Sequence, residues 1–120
     1  MERTAFETYK TKTIFMVSFI GLGEIQEIKK IIERAKSEIS KQPYKSVLLL
    51  TDITATNNDK DTLGLLKDFA NHNTPYIKAS AVAGVTGIKK NIFPSLVESS
   101  GRYIHPCQSV KEAQDWLISQ

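Results

Sequence analysis

The chain has 120 residues, a formal net charge of +3, 41% hydrophobic and 24% charged residues. That length suits one domain over 1–120 with a core that needs no staples, and the balance excludes collagen-like, low-complexity and disordered classes. No apolar run approaches the ~20 residues of a membrane span, the polar N-terminus has no apolar signal core, and the single cysteine, Cys107, points to a reducing, cytoplasmic setting.

In chain order, Thr4 to Lys10 alternate weakly and form either a short extra strand or the start of one long bent strand. Thr13–Ile20 is rich in β-branched and aromatic residues and stops at Gly21-Leu22-Gly23, a strand followed by a loop. A helix follows from Glu24 to Lys41, because Ile25, Ile28, Ile31, Ile32, Ala35 and Ile39 recur at steps of three and four. Gln42-Pro43 ends it. Its outer face mixes Lys29, Lys30, Arg34 and Lys36 with Glu24, Glu27, Glu33 and Glu38. Mixed signs describe a solvated face, not the basic stripe of a nucleic-acid binder, so no nucleic-acid partner is expected.

Ser46–Thr51, running into Asp52-Ile53, holds four consecutive apolar residues and reads as a strand buried on both faces of a parallel sheet. Thr54 to Asp59 is a polar loop. A second helix spans Lys60 to Asn71, with Leu63, Leu66, Phe69 and Ala70 inward and Asn73-Thr74-Pro75 closing it. Lys78–Val85 is a strand of small residues, which implies a helix packed close against it. Thr86-Gly87 opens a third helix with Ile88, Ile92, Phe93, Leu96 and Val97 inward. Pro94 predicts either a kink there or a short turn followed by a helix starting near Phe93, and Gly101 is a C-terminal signal. Arg102–Pro106 is a last strand, with Pro106 at an edge or at the strand's end. Val110–Ile118 is a last helix: Ser109 and Glu112 form a capping box, and Ala113, Trp116 and Leu117 face inward. Four strand–helix units imply an α/β fold around a small, mostly parallel sheet of four or five strands.

Several residue groups carry side chains suited to chemistry. Asn57 to Gly64 resembles a calcium loop only loosely, because the positions that need Gly and Glu hold Thr62 and Asp68. Asp59 and Asp61 suit the positive end of a helix dipole instead. His72, His105 and Cys107 lack the further ligands of a metal centre. His105 and Cys107 would share a strand face, but a nucleophile pair needs contact and an orienting group. No catalytic residue, metal or cofactor is therefore assigned, and the chain is not expected to be an enzyme. The turn Thr86-Gly87 with Lys89 and Lys90 is a candidate anion site, since amides opening a helix can hold a negative group. Asp52 ends the central strand, where ligands and partners of parallel sheets bind. Thr54 and Thr56 follow it, and Thr62 lies at the next helix start, where a phosphate has large electrostatic effects.

Val47-Leu-Leu-Leu-Thr-Asp52-Ile-Thr54 followed by Asp61-Thr62-Leu63-Gly64-Leu65-Leu66 resembles the middle of STAS domains, the anti-sigma-factor antagonist proteins. The run Ala81-Val-Ala-Gly84-Val, then Lys89-Lys90, Gly101-Arg102 and a last helix with Ala113 and Trp116-Leu117, resembles their SpoIIAA-like branch. The resemblance covers residues 13–119. It implies a SpoIIAA-like fold and a non-enzymatic protein-interaction or regulatory module. Its interaction surface would lie around Asp52, Asp61 and Gly64, and its phosphoacceptor at Thr62, with Thr54 and Thr56 as fallbacks. Two departures stand out: Leu63 replaces a second small residue, and the loop from Asp52 to Asp61 is longer than in those proteins. Relatives with lipid-carrier character imply an alternative, a small apolar or anionic ligand, lipid-like, held between the sheet and the helix of Pro94. An unpartnered edge strand would offer a route to a homodimer.

Overall fold

The computed structural model describes residues 3–56, 59–87 and 89–120, without the side chains of Ile92, Leu96 and Ser99. The inward positions expected for Ile88, Ile92 and Leu96, and the loop residues Asn57 and Asn58, lie outside the described residues. The elements are β1 (Thr4–Tyr9), β2 (Lys12–Ser18), α1 (Ile25–Ser40), β3 (Val47–Asp52), α2 (Lys60–Asn73), a 3-10 turn (Thr74–Tyr76), β4 (Ile77–Ala83), α3 (Lys89–Ser100), β5 (His105–Cys107) and α4 (Val110–Ile118).

They build an α/β fold around a five-stranded sheet in the order β1-β2-β3-β4-β5. β1 runs antiparallel to β2, and the other pairs are parallel. The N-terminal segment is thus a separate strand, not the start of a bent one. Lys10 makes the reversal by taking the left-handed backbone (φ 56°) between Tyr9 and Lys12, which pair across the turn. Tyr9 then ties the hairpin to α4, its hydroxyl donating to Asp115 at 2.7 Å.

Parallel strands added in one direction by crossovers of one hand put their helices on one face. Here α1, α2 and α3 cover one face, where Ile28, Ile32, Ile39, Leu66, Phe69 and Phe93 meet Phe15, Val17, Leu49 and Val82. α4 covers the other, where Ala113 and Leu117 meet Ile14, Leu48, Leu50, Ala81 and Ala83. All of β3 is buried, as its continuous apolar run requires, and each fully buried leucine there contributes roughly 1.5–3 kcal/mol. The small residues of β4 admit α4 closely, Ala81 and Ala83 facing Ala113 across the interface.

The helix ends follow local chemistry. α2 continues two residues past its expected end, because Asn73 is buried and extends the inner face. Its last turn is held by Arg102, whose Nε donates to Thr74 Oγ1 and whose Nη2 donates to the Ala70 carbonyl, both at 3.2 Å. A cation suits the negative end of a helix. α3 runs through Pro94 as one helix, which rules out the alternative of a short turn followed by a helix starting near Phe93. Pro94 is exposed, so water can satisfy the one carbonyl that its missing N–H leaves free. Gly101 closes α3 in the left-handed region (φ 70°). Of the expected Arg102–Pro106 strand, only His105 and Pro106 pair along β4, and the strand runs one residue further, to Cys107. β5 is an edge, where a proline that lacks an N–H is tolerated.

At the start of α4, Ser109 accepts the Glu112 N–H at 3.2 Å, and the Glu112 carboxylate accepts the Gln108 N–H at 3.4 Å, one residue ahead of the usual box partner. Ser109→Ala should lower stability by about 1 kcal/mol in urea unfolding, with an unchanged m-value.

Candidate functional site

The loops that leave β2, β3 and β4 meet at the C-terminal end of the sheet. Asp52, the last residue of β3, is only 5% exposed. Its Oδ1 accepts the Thr54 N–H at 3.0 Å and the Thr54 hydroxyl at 2.6 Å. This is an Asx turn, in which a carboxylate stands in for a backbone acceptor. Neighbouring loops are stitched to it through the backbone. Phe19 N–H donates to the Asp52 carbonyl at 2.9 Å, Gly21 N–H to the Thr54 carbonyl at 3.1 Å, and Ile53 N–H to the Ala83 carbonyl at 3.0 Å. The Thr56 hydroxyl donates to the Phe19 carbonyl at 2.8 Å.

Gly84 completes the junction. Its φ is 87°, and a Cβ placed there would lie 2.5 Å from Thr54 Oγ1 and 2.6 Å from Thr54 N. Only glycine meets both conditions, because other residues are strained at that φ and the obstacle is backbone.

The three threonines differ in what they present. Thr62, the acceptor position carried over by resemblance, is fully buried on the inner side of α2 (0% exposed). Thr56 is also buried, with its hydroxyl engaged. Thr54 alone lies at the surface, with its hydroxyl held against Asp52. Asp52 itself stays beneath it and meets the surface only through Thr54.

Asp59 caps α2 and accepts the Thr62 N–H at 2.8 Å. That backbone bond, then the Thr62 hydroxyl, holds the exposed Asp59 carboxyl below its usual range. Asp61 and Gly64 are exposed on the next turn. With Ile25, Lys29, Leu65 and Asp68 they line an open groove of about 700 Å³ between α1 and α2. Among the described residues, nothing lies within 4 Å of where a Gly64 Cβ would be.

The turn after β4 keeps its cations but uses amides internally. Lys89 N–H donates to the Thr86 carbonyl and Lys90 N–H to the Gly87 carbonyl, both at 3.1 Å. The anion site expected at Thr86, Gly87, Lys89 and Lys90 therefore lacks those two free donors, and lysine side chains are what it offers. Beside it, Val85, Phe93, Pro94, Pro106 and Cys107 form an open groove of about 390 Å³, with Lys90 and Glu112 also lining it. By contrast, the space between the sheet and α2, bounded by Leu49, Leu66, Phe69, Ser80 and Ile104, holds about 20 Å³, room for about one water.

Cys107 is buried, and burial followed by the Glu112 charge pushes its thiol up to about 11. It stays protonated at neutral pH. His105 and Cys107 both face α4, but His105 stacks flat on Trp116 (centroids 4.2 Å apart) and bonds through Nδ1 to the Tyr103 hydroxyl at 2.7 Å. Its partners are aromatic, and the pair is not a nucleophile–base arrangement. Among the described residues, no group of three or more His, Cys, Asp or Glu could hold a metal ion. Nor is any helix among them long and apolar enough to cross a membrane.

Sequence reasoning singled out Asp52 and the threonines but not the Gly84–Thr54 contact. Its only signal was a glycine directly after a strand. No family model, curated protein or solved structure matches the chain.

Gly84→Ala should cost at least ~2 kcal/mol in urea unfolding, since strain at positive φ adds to a backbone overlap. The Asp59 charge gives a separate test. Because its folded pKa is depressed, its stabilisation is complete above the unfolded value of 3.8 and is lost as pH falls through the lower folded value. Thermal melts of Asp59→Asn and wild type should therefore differ most near neutral pH and converge below pH ~3.8.

Proposed function

We propose that the chain is a non-enzymatic protein-interaction or regulatory module of the STAS/SpoIIAA-like type, docking a protein partner through the α1–α2 groove and the adjoining β3–α2 loop. The observation that carries this reading is Gly64. It sits in the interior of α2, where glycine costs about 1 kcal/mol relative to alanine, and no contact among the described residues needs it. A bare position in an open groove, flanked by Ile25 and Leu65 and by the charges of Lys29, Asp61 and Asp68, suits close approach by another backbone. The mostly parallel sheet, with β3 ending at Asp52 before Ile53-Thr54 and a helix opening near Asp61-Thr62, supports the STAS-type reading.

Thr54 supplies the regulatory element. Phosphorylation there would set about −1.5 to −2 charges beside a buried carboxylate that its hydroxyl now touches at 2.6 Å. Repulsion would open the Asx turn and free the loop beside the groove. In this reading Thr54 takes the acceptor role, in place of the buried Thr62.

The groove beside Pro94 favours a second reading. Its apolar walls and Lys90 suit a small apolar or anionic ligand, and the chain would then be a carrier or sensor. The enclosed space under α2 is too small for an acyl chain, so any such ligand would lie in the open groove.

Gly64→Ala should raise stability by about 0.5–1 kcal/mol, whereas Gly64→Arg should fold normally by circular dichroism and lose the partner that wild type captures from its own host's extract. Equal capture by Gly64→Arg would move the docking surface elsewhere. A small-molecule mass that native mass spectrometry finds on the purified protein, and that denaturation removes, would favour the carrier.

A further inference from the structure

The opposite end of the sheet gathers a second surface from segments far apart in the chain. There, Lys45, Lys78, Arg102, Tyr103 and Trp116 line an open groove of about 480 Å³, which has no acidic side chain among its described lining residues. Tyr103 and the only tryptophan line it, and Tyr44 precedes the groove residue Lys45 in the chain. Tyr44 (76% exposed) packs on Tyr76 with centroids 5.4 Å apart, and Tyr103 (62% exposed) packs on His105 and Trp116 at 5.8 and 6.0 Å. Two exposed rings, on the loops before β3 and before β5, thus accompany a cationic groove.

The backbone is irregular where it presents each lysine. Lys45 is held in the left-handed region (φ 55°), its N–H donating to the Pro75 carbonyl at 3.0 Å. Lys78 is the residue skipped in the β3–β4 register, where Val47 pairs with Ile77 and Leu48 with Ala79. Left-handed lysines cost free energy, and bulges re-aim side chains. None of the three cations forms an ion pair among the described residues. Arg102 is half-buried, and its buried Nη1 has no hydrogen-bond partner among the described residues. Burial lowers its pKa only to about 10, so it stays charged at neutral pH.

Although the mixed charges of α1 led to no expected nucleic-acid partner, the cations at this end of the sheet lie elsewhere, and we propose that this surface binds single-stranded nucleic acid, its bases stacking on Tyr44 and Tyr103 and its phosphates running over Lys45 and Lys78. Unpaired cations attract a polyanion, and every base has a face for an exposed ring. The groove is open, and its two rings stand on different loops, which fits a strand of several nucleotides. An acidic peptide would satisfy the lysines and leave the rings unused. The surface lies at the other end of the sheet from the Gly64 groove, so neither assignment depends on the other.

Because Trp116 is the only tryptophan, its fluorescence reports on this site alone. Titration with a twelve-nucleotide oligothymidylate should quench it saturably. The logarithm of affinity should fall linearly with the logarithm of salt, with a slope of about −0.7 per phosphate engaged. Tyr103→Leu should weaken binding by about 5- to 100-fold. Lys45→Gly should weaken it several-fold and reduce the slope by about one contact, with no loss of thermal midpoint, because glycine relieves the left-handed strain. That variant separates binding from folding. Four results would overturn the proposal: no quenching at 50 mM salt, equally tight binding of thymidine monophosphate, equally tight binding of polyglutamate, or Tyr103→Leu binding like wild type. The second would make the groove a nucleotide pocket, and the last two would reduce it to a patch for any polyanion or acidic peptide.

Discussion

Gly84 has no side chain, and Thr54 occupies the space where one would be. The C-terminal end of the sheet is arranged around that contact. Thr54 can sit so close to Gly84 because Asp52 turns back to accept both its N–H and its hydroxyl. A carboxylate this buried is tolerable only when it is hydrogen-bonded, and the hydroxyl is placed by the same bond. The backbone bonds from Phe19, Gly21 and Ile53 then tie the loops after β2, β3 and β4 together. Asp52 therefore works chiefly as an internal clamp, and Thr54 is its exposed end.

This clamp links the fold to the proposed activity. The β3–α2 loop leads directly to Asp59, which caps α2, and α2 carries Gly64 into the groove against α1. A change at Thr54 thus acts at the root of the loop that positions the groove. The basic and aromatic surface at the other end depends on different devices, a left-handed Lys45 and a bulged Lys78. One sheet thereby carries two surfaces with separate structural supports.

Much of the framework was legible in the residues themselves. The unbroken Val47–Leu50 run reads as a doubly buried strand because a parallel strand has no solvent face. The alanines of β4 announce a close helix, and Ser109 announces the start of α4 by its chemistry. The hairpin was less legible because its turn, Lys10-Thr11, lacks the Asn-Gly or Asp-Gly signal that favours positive φ. On α2, hydrophobicity nominated Leu63 for the inner face, yet the helix turns Thr62 and Asn73 inward with Leu66, Phe69 and Ala70. Polar residues at core positions defeat a reading based on apolar spacing, and the resemblance that assigns Thr62 the acceptor role does not reveal that it is buried. Tyr44, Lys78, Tyr103 and Trp116 are too far apart for any spacing rule, and only the folded sheet makes them neighbours.

The three loops form one rigid platform locked at Gly84 and Asp52. Amide hydrogen exchange tests it most directly at Phe19, Gly21, Ile53, Thr54 and Thr56. The account expects these amides to exchange as slowly as those of β3, and to lose protection together when Asp52 is replaced by asparagine. Fast, independent exchange at the loop amides of the unaltered protein would contradict it, because the clamp would then join nothing that moves as a unit.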